Sequence, residues 1–195
     1  MCLNNILSFE EYFEICEATS GICVLGFGRL NPITIGHFKL LNKIDELAKK
    51  YDGIGLIFVS HSQDPIKNPL PYPEKIKLIK KIAPPNVKVV KTVSRRVQDI
   101  LGEIYRLGFK DIIFVCGDDR VNDFKWIEKD ERFNTAKVVS AGARDPEAED
   151  FTSTVSASMA RKAVKDNDYN TFKKCSPFDD FTTQKLYNRL KELMK

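Results

Sequence analysis

Residues 26–37 hold the side chains of this chain that are best suited to binding phosphate. Thr34 and His37 are three positions apart, so on a helix they share one face of a turn. Gly36 has no side chain and lets an anion approach the backbone. A helix start attracts phosphate through its unbonded N–H groups and positive dipole, and an imidazole adds a donor that titrates near neutrality. We predict a phosphate site here, in a cleft where His37 contributes little to stability.

Two common glycine motifs do not describe this segment. The dinucleotide fingerprint requires a third glycine where Asn31 stands. The second predicted strand also ends in Ser60 and His61 rather than in an acidic residue that would hold a ribose. A P-loop requires Gly-Lys followed by Ser or Thr, and this segment has no such sequence.

A serine-rich turn at residues 155–161 is a second candidate phosphate site. The turn reads Val-Ser-Ala-Ser-Met-Ala-Arg, and Ser156 is a suitable N-cap for a following helix. A cap accounts for one hydroxyl, but it does not account for Arg161 one turn later. The planar guanidinium of arginine matches the oxygens of a phosphate.

Alternating strands and helices must position these residues. Near-continuous apolar runs of strand length occupy residues 22–27, 54–60, 87–91, 111–116 and 137–140. Apolar residues between them recur with helical spacing, as in Leu40, Ile44 and Leu47. This alternation is typical of a parallel sheet covered on both faces. Ligands of such sheets bind beyond the carboxyl ends of the strands, so the loops there are the candidate site.

Length and composition favour a single globular domain over residues 1–195, with helices at 1–20 and 178–195. Charged residues make up 30% of the 195 residues and hydrophobic ones 43%. Five cysteines without a CxxC pair and two histidines do not form a structural zinc motif. Four glutamates and no basic residue precede Arg29, which is the wrong charge for a signal peptide. We therefore expect a cytoplasmic protein without membrane association.

The first segment resembles a known signature. Gly28-Arg29-x-Asn31-Pro32-x-Thr34-x-Gly36-His37 is similar to the (H/T)xGH motif of the nucleotidyltransferase superfamily, and its spacing is most similar to archaeal-type nicotinamide mononucleotide adenylyltransferases. Thr34 stands in place of their first histidine, as in phosphopantetheine adenylyltransferases. The turn at 155–161 loosely resembles the superfamily's second signature, S-[GST]-[ST]-x-x-R, with Ala157 at its second position. Similar sequences occur among nucleotidyltransferases of large bacteriophages, which would place the protein in a host cytoplasm.

The resemblance implies a Rossmann-like, doubly wound parallel sheet of five strands in the order 3-2-1-4-5. It also implies transfer of AMP from ATP to a small phosphorylated acceptor, nicotinamide mononucleotide, with Mg²⁺ as cofactor and no dedicated metal ligands. The implied catalytic residues are His37, Thr34 and Arg161. Implied nucleotide-binding residues are Gly26, Phe27, Gly28, Arg29, Asn31, Gly36, Gly117, Asp119, Ser156 and Ser158. Implied acceptor-binding residues are His61, Lys67, Arg95 and Trp126.

The chain is also compatible with a cytidylyltransferase acting on a phospho-alcohol or sugar phosphate, or with an inactive nucleotide-binding regulator. Trp126 also fits a half-buried packing residue, and Gly117 an ordinary turn. The stretch 67–96 carries nine basic residues and one acidic residue, which indicates either a phosphate-attracting surface or a solvated helix face. Its one aromatic residue, Tyr72, is too few for stacking on bases, so nucleic acid is not expected, while a homo-oligomer is compatible with the sequence.

Overall fold

A computed structural model describes residues 21–92, 96–142 and 155–195 of the chain. Five parallel strands form one sheet in the order β3-β2-β1-β4-β5. The strands are β1 (Cys23–Gly28), β2 (Ile54–Val59), β3 (Val87–Val90), β4 (Asp111–Cys116) and β5 (Thr135–Ser140). The predicted fold class and strand order are confirmed, and each predicted run coincides with a strand to within two residues at either end.

Helices connect the strands and follow the last one. They are α1 (Ile35–Lys50), α2 (Tyr72–Lys80), α3 (Val97–Arg106), α4 (Val121–Phe124), α5 (Ala157–Lys165), α6 (Tyr169–Cys175) and α7 (Asp180–Leu193). Two 3-10 helices, Asp118–Arg120 and Lys125–Lys129, flank α4. The helix α7 lies inside the predicted 178–195. The predicted helix at 1–20 lies outside the described residues.

Helices cover both faces of the sheet. Successive residues of a strand point to opposite faces, so neighbours in one strand pack against different helices. Val24 of β1 packs in one buried cluster with apolar residues of α1 and α2. Its neighbours Cys23 and Leu25 pack in a second cluster with one face of α3. Strands buried on both faces must be apolar throughout, which explains why they were readable as continuous runs.

A third buried cluster joins the last three helices to the loops at the cavity end of the sheet. It contains Phe172 of α6 and Leu186 of α7 together with Leu70 and Val155. Arg189 of α7 also donates to both carboxylate oxygens of Glu74 in α2, at 2.8 Å and 3.2 Å. The C-terminal helices therefore hold the segments that precede α2 and α5. None of the helices in the described ranges is long and apolar enough to cross a membrane.

Candidate functional site

A cavity of about 490 Å³ opens at the carboxyl ends of the strands. Its wall includes Gly28 at the end of β1, Ser60 after β2, Gly117 after β4 and Gly142 after β5. The order in which strands are added to the sheet reverses at β1. Strands β2 and β3 lie on one side of it, and β4, its hydrogen-bonded neighbour on the other side, is followed by β5. Such a switch point is where doubly wound sheets bind ligands, and this volume suits a small molecule.

The loop from β1 to α1 is fixed by the side chain of Asn31. Its Nδ2 donates to the carbonyl of Leu70, and its Oδ1 accepts from the N–H of Leu70, both at 3.0 Å. Asn31 is 2% exposed. The preceding Leu30 has φ 49°, a left-handed conformation that a bulky residue adopts only when its surroundings impose it. Asn31 borders the cavity, but its amide holds this loop instead of pointing at a ligand.

His37 lines the cavity from the first turn of α1. The backbone N–H of Thr34 donates to its Nδ1 at 3.0 Å. A backbone N–H can only donate, so Nδ1 is an acceptor and the neutral ring carries its proton on Nε2. The structure therefore presents His37 as an oriented side chain whose other ring nitrogen, Nε2, is the donor.

Thr34 lies behind His37 and does not line the cavity. It is 1% exposed, and its hydroxyl is 3.0 Å from His37 Nδ1. Sequence reasoning assigned Thr34 to phosphate contact because the i, i+3 spacing places both residues on one face. Thr34 is instead the N-cap of α1, with extended backbone, and its side chain turns inward. We therefore assign it to the positioning of the imidazole.

Two of the four glycines assigned to the nucleotide, Gly26 and Gly36, have different surroundings. A Cβ on Gly36 would meet Val155 O at 3.4 Å and Thr34 Oγ1 at 3.7 Å, which is ordinary contact, and Gly36 lines the cavity. A Cβ on Gly26 would lie 2.9 Å from Ile44 Cδ1. Gly26 therefore allows α1 to pack closely on β1 and does not border the cavity.

The serine-rich turn brings Arg161 against the first loop. Ser156 caps α5 by accepting from the N–H of Met159 at 3.1 Å. Arg161 donates through Nη1 to the carbonyl of Asn31 at 2.7 Å and through Nη2 to Ser158 Oγ at 3.0 Å. The two signatures, 130 residues apart, thus meet through one guanidinium.

The cavity is electropositive where these loops meet. Burial, and then the neighbouring charge of Arg29, lower the pKa of Arg161, and Asp64 opposes this shift. The first turns of α1 and α5 contain no acidic residue, whereas those of α2, α3 and α7 do. Acidic side chains normally neutralise the positive end of a helix dipole. Two helix starts and two guanidinium groups therefore converge on this cavity, an arrangement that attracts an anion.

Most of the remaining predicted residues surround the same cavity. The predicted residues that line it are Phe27, Gly28, Arg29, Asn31, Gly36, His37, Lys67, Gly117, Asp119, Ser156, Ser158 and Arg161. His61 does not line it and stacks on Tyr72, with ring centroids 3.5 Å apart. Trp126 is 37% exposed on a 3-10 helix and also lies outside the lining. Arg95 falls outside the described residues.

The strand-end loops were predicted to form the site, but several residues of the wall were not predicted individually. They include Lys39, Ser62, Asn68, Cys116, Arg120 and Phe124. Lys39 lies three positions after Gly36, so helical spacing places it on the same face as Gly36 and could have indicated it as a site residue. Cys116 is buried, and burial raises its pKa to about 11. A thiol with such a pKa is not a nucleophile at neutral pH.

Carboxylates are scarce at the site. Among the described residues, Asp119 is the one acidic residue that lines the cavity. No group of three or more His, Cys, Asp or Glu side chains that could hold a metal ion occurs among the described residues.

Comparison with known proteins identifies the fold. The nicotinic acid mononucleotide adenylyltransferase of Plasmodium falciparum complexed with NaAD has a TM-score of 0.62 at 19% identity, covering 88% of this chain and 97% of that chain. Its complex with APC gives 0.63 at 18% identity, with 89% and 98% covered. A Streptococcus pneumoniae protein described as a macrolide-efflux protein gives 0.53 at 16% identity, covering 89% of this chain and 57% of that chain.

Sequence comparison identifies the family. No curated protein sequence matches the chain. A family model described as cytidylyltransferase-like matches residues 25–163, and this range contains both signatures, nearly the whole sheet and every strand-end loop that forms the cavity. The chain therefore belongs to the cytidylyltransferase-like family of the nucleotidyltransferase superfamily.

Proposed function

We propose that this protein transfers AMP from ATP to nicotinamide mononucleotide, giving NAD and pyrophosphate. One observation carries the proposal: two helix starts without acidic residues converge with Arg29, His37 and Arg161 on one cavity. A triphosphate is the small-molecule anion that best matches such an extended positive site.

The reaction needs positioning and charge stabilisation more than proton transfer. An oxygen of the acceptor phosphate attacks the α-phosphorus, and the bond from that phosphorus to the oxygen bridging to the β-phosphate breaks. Pyrophosphate leaves with the electron pair. His37 donates through Nε2–H to oxygens that gain negative charge in the transition state. Arg29 and Arg161 hold the outer phosphates, and Ser158 orients Arg161.

Mg²⁺ is proposed as the ion that accompanies the triphosphate. Magnesium commonly keeps several waters and binds through substrate phosphates with one or two carboxylates. A wall with the single carboxylate of Asp119 in its described part fits an ion held mainly by phosphate oxygens and water. The ion would neutralise phosphate charge beside the guanidinium groups.

Strand order suggests how the two substrates divide the cavity. Gly117 and Asp119 follow β4 on one side of β1, and Ser60 and Lys67 follow β2 on the other. We place the nucleoside of the triphosphate on the β4 side and the acceptor on the β2 side. The choice of ATP is supported by the spacing at residues 28–37 and by the adenylyltransferase names of the similar structures.

A second candidate is a cytidylyltransferase acting on a phospho-alcohol or sugar phosphate. The cytidylyltransferase-like description of the family favours it. In both candidates the same side chains bind the triphosphate, and the candidates differ in the base of that triphosphate and in the acceptor.

Pyrophosphate release tests the proposal. Each of ATP, CTP, GTP and UTP is incubated with nicotinamide mononucleotide, nicotinic acid mononucleotide, or a panel of phospho-alcohols and sugar phosphates. We expect release with ATP and nicotinamide mononucleotide, NAD as product, and loss of release in Arg161→Ala. Turnover of CTP with a phospho-alcohol but not of ATP would contradict the adenylyl assignment. Tight binding of a non-hydrolysable triphosphate without turnover of any pair would instead indicate a regulator.

A further inference from the structure

Lys75 is a fully buried lysine whose charge the reaction above does not use. It lies on α2 and is 0% exposed. Its Nζ donates to the carbonyl of Ser60 and, at 3.2 Å, to the carbonyl of Ser62. No carboxylate in the described part of the chain pairs with it. Its ammonium also lies 5.9 Å from the centroid of the Tyr72 ring, within cation–π range.

A buried ammonium without a carboxylate partner is unfavourable for folding. Desolvation lowers the pKa of Lys75 to about 8. A methionine would fill a similar volume without burying a charge. The lysine therefore has a specific effect that an apolar residue would not provide, and its contacts show which segment it acts on.

The carbonyls that Lys75 binds belong to the polar segment that follows β2. Within it, Ser60 Oγ and Ser62 Oγ are 2.7 Å apart, and the N–H of Ser62 donates to Ser60 Oγ. Further along, Asp64 and Asn68 exchange backbone hydrogen bonds of 3.0 Å and 3.1 Å. Ser60, Ser62, Lys67 and Asn68 all line the cavity. Lys75 thus fixes the first residues of the cavity wall on the β2 side.

We propose that Lys75 is a positioning residue that holds residues 60–68 in the conformation that receives the phosphorylated acceptor. The inference rests on the proposed function, because it assigns the β2 side to the acceptor. The side chains that we assign to the triphosphate are held by other residues. His37 is hydrogen-bonded to Thr34, and Arg161 is hydrogen-bonded to Asn31 and Ser158. Loss of the Lys75 bonds therefore affects the acceptor much more than the triphosphate.

The test uses Lys75→Met, with Lys77→Met as a matched control, since Lys77 is an exposed lysine on the same helix. Steady-state kinetics gives the KM of each substrate, and amide hydrogen exchange reports on residues 60–68 without any substrate. We expect Lys75→Met to raise the acceptor KM about tenfold or more, because small misplacements of a binding group are costly. The triphosphate KM should stay within about twofold of wild type, and exchange should accelerate in residues 60–68. Lys77→Met should behave as wild type.

A folded Lys75→Met with wild-type acceptor KM or wild-type exchange would overturn the inference, and so would an equal rise in both KM values. If Lys75→Met does not fold, Lys75→Gln replaces it. The shorter glutamine cannot reach both carbonyls, so the same separation of KM values is expected and its absence overturns the inference. If wild-type protein turns over no substrate pair, the proposed function fails and the exchange experiment alone decides: faster exchange confined to residues 60–68 supports the positioning role, and unchanged exchange overturns it.

Discussion

Replacing His37 with alanine should lower both stability and activity. The sequence suggested that His37 contributes little to stability, but its Nδ1 accepts the N–H of Thr34, which is 1% exposed. Loss of a helix-capping bond typically costs ~1 kcal/mol and an unpaired buried donor ~1–3 kcal/mol. Both figures describe the same bond, so we expect a loss of about 1–2 kcal/mol in the free energy of unfolding. At this chain length that lowers Tm by roughly 2–8 °C.

Activity should fall much further than stability. Loss of one oriented donor to developing charge typically lowers kcat by ~10²–10³. The dissociation constant of a non-hydrolysable triphosphate should change less, because Arg29 and Arg161 also line the cavity.

His37→Gln separates the two effects. Glutamine at the third helical position can accept the N-cap N–H in a capping box, so unfolding should return to the wild-type value. The donor at the position of Nε2 is not reproduced, so kcat should stay low. Urea unfolding and kcat are measured for wild type, His37→Ala and His37→Gln. An alanine variant as stable as wild type would refute the capping role, and one with near-normal kcat would refute the donor role.

Three further predictions follow from neighbouring groups. Gly36→Ala should keep or raise Tm, because the new Cβ meets only ordinary contacts, but it should weaken the binding of a triphosphate analogue. Gly26→Ala is the control. It should lower the free energy of unfolding by roughly 1–3 kcal/mol through overpacking and leave the affinity for the analogue unchanged. Arg161→Lys should raise the triphosphate KM more than the acceptor KM, because lysine lacks the planar fork, and an equal rise would exclude this role. The pKa of Lys75 is lowered from 10.5 to about 8 in the folded protein, so unfolded chains bind more protons between these values. Urea unfolding should therefore show wild type gaining stability relative to Lys75→Met, by up to roughly 3 kcal/mol, as pH rises from 8 to 10.5.

The fold could be predicted from sequence because its elements leave local patterns. Strands that are buried on both faces appear as short apolar runs, and amphipathic helices appear as spaced ones. The helix α6 was missed because its pattern is weak: only Phe172 and Cys175 are buried in its seven residues. It forms because Asp168 caps it at Thr171 N–H and because Phe172 packs on Tyr187 of α7. Tertiary contacts of this kind have no local signal.

The location of the site was predictable, but the direction of its side chains was not. Strand-end loops and two signatures located the cavity, since a parallel sheet brings those loops together. The partner of the Asn31 amide lies 39 residues away, and the partner of Arg161 lies 130 residues away. No spacing encodes such contacts, so a holding residue and a ligand-facing residue look the same in sequence. His61 illustrates the same limit, because its stacking on Tyr72 depends on where α2 begins.

A division of roles follows from these contacts. His37 and Arg161, which we assign to phosphate, are each held by a residue that serves to orient them. Thr34 orients His37, and the carbonyl of Asn31 orients Arg161. Asn31 in turn is bonded to Leu70, which belongs to the buried cluster that includes residues of α5 and α7. The side chains that we assign to phosphate are therefore held in place partly by the packing of the C-terminal helices. Oriented donors require no reorganisation when charge develops, so the nucleotidyl transfer that we propose depends on them and not on a general base.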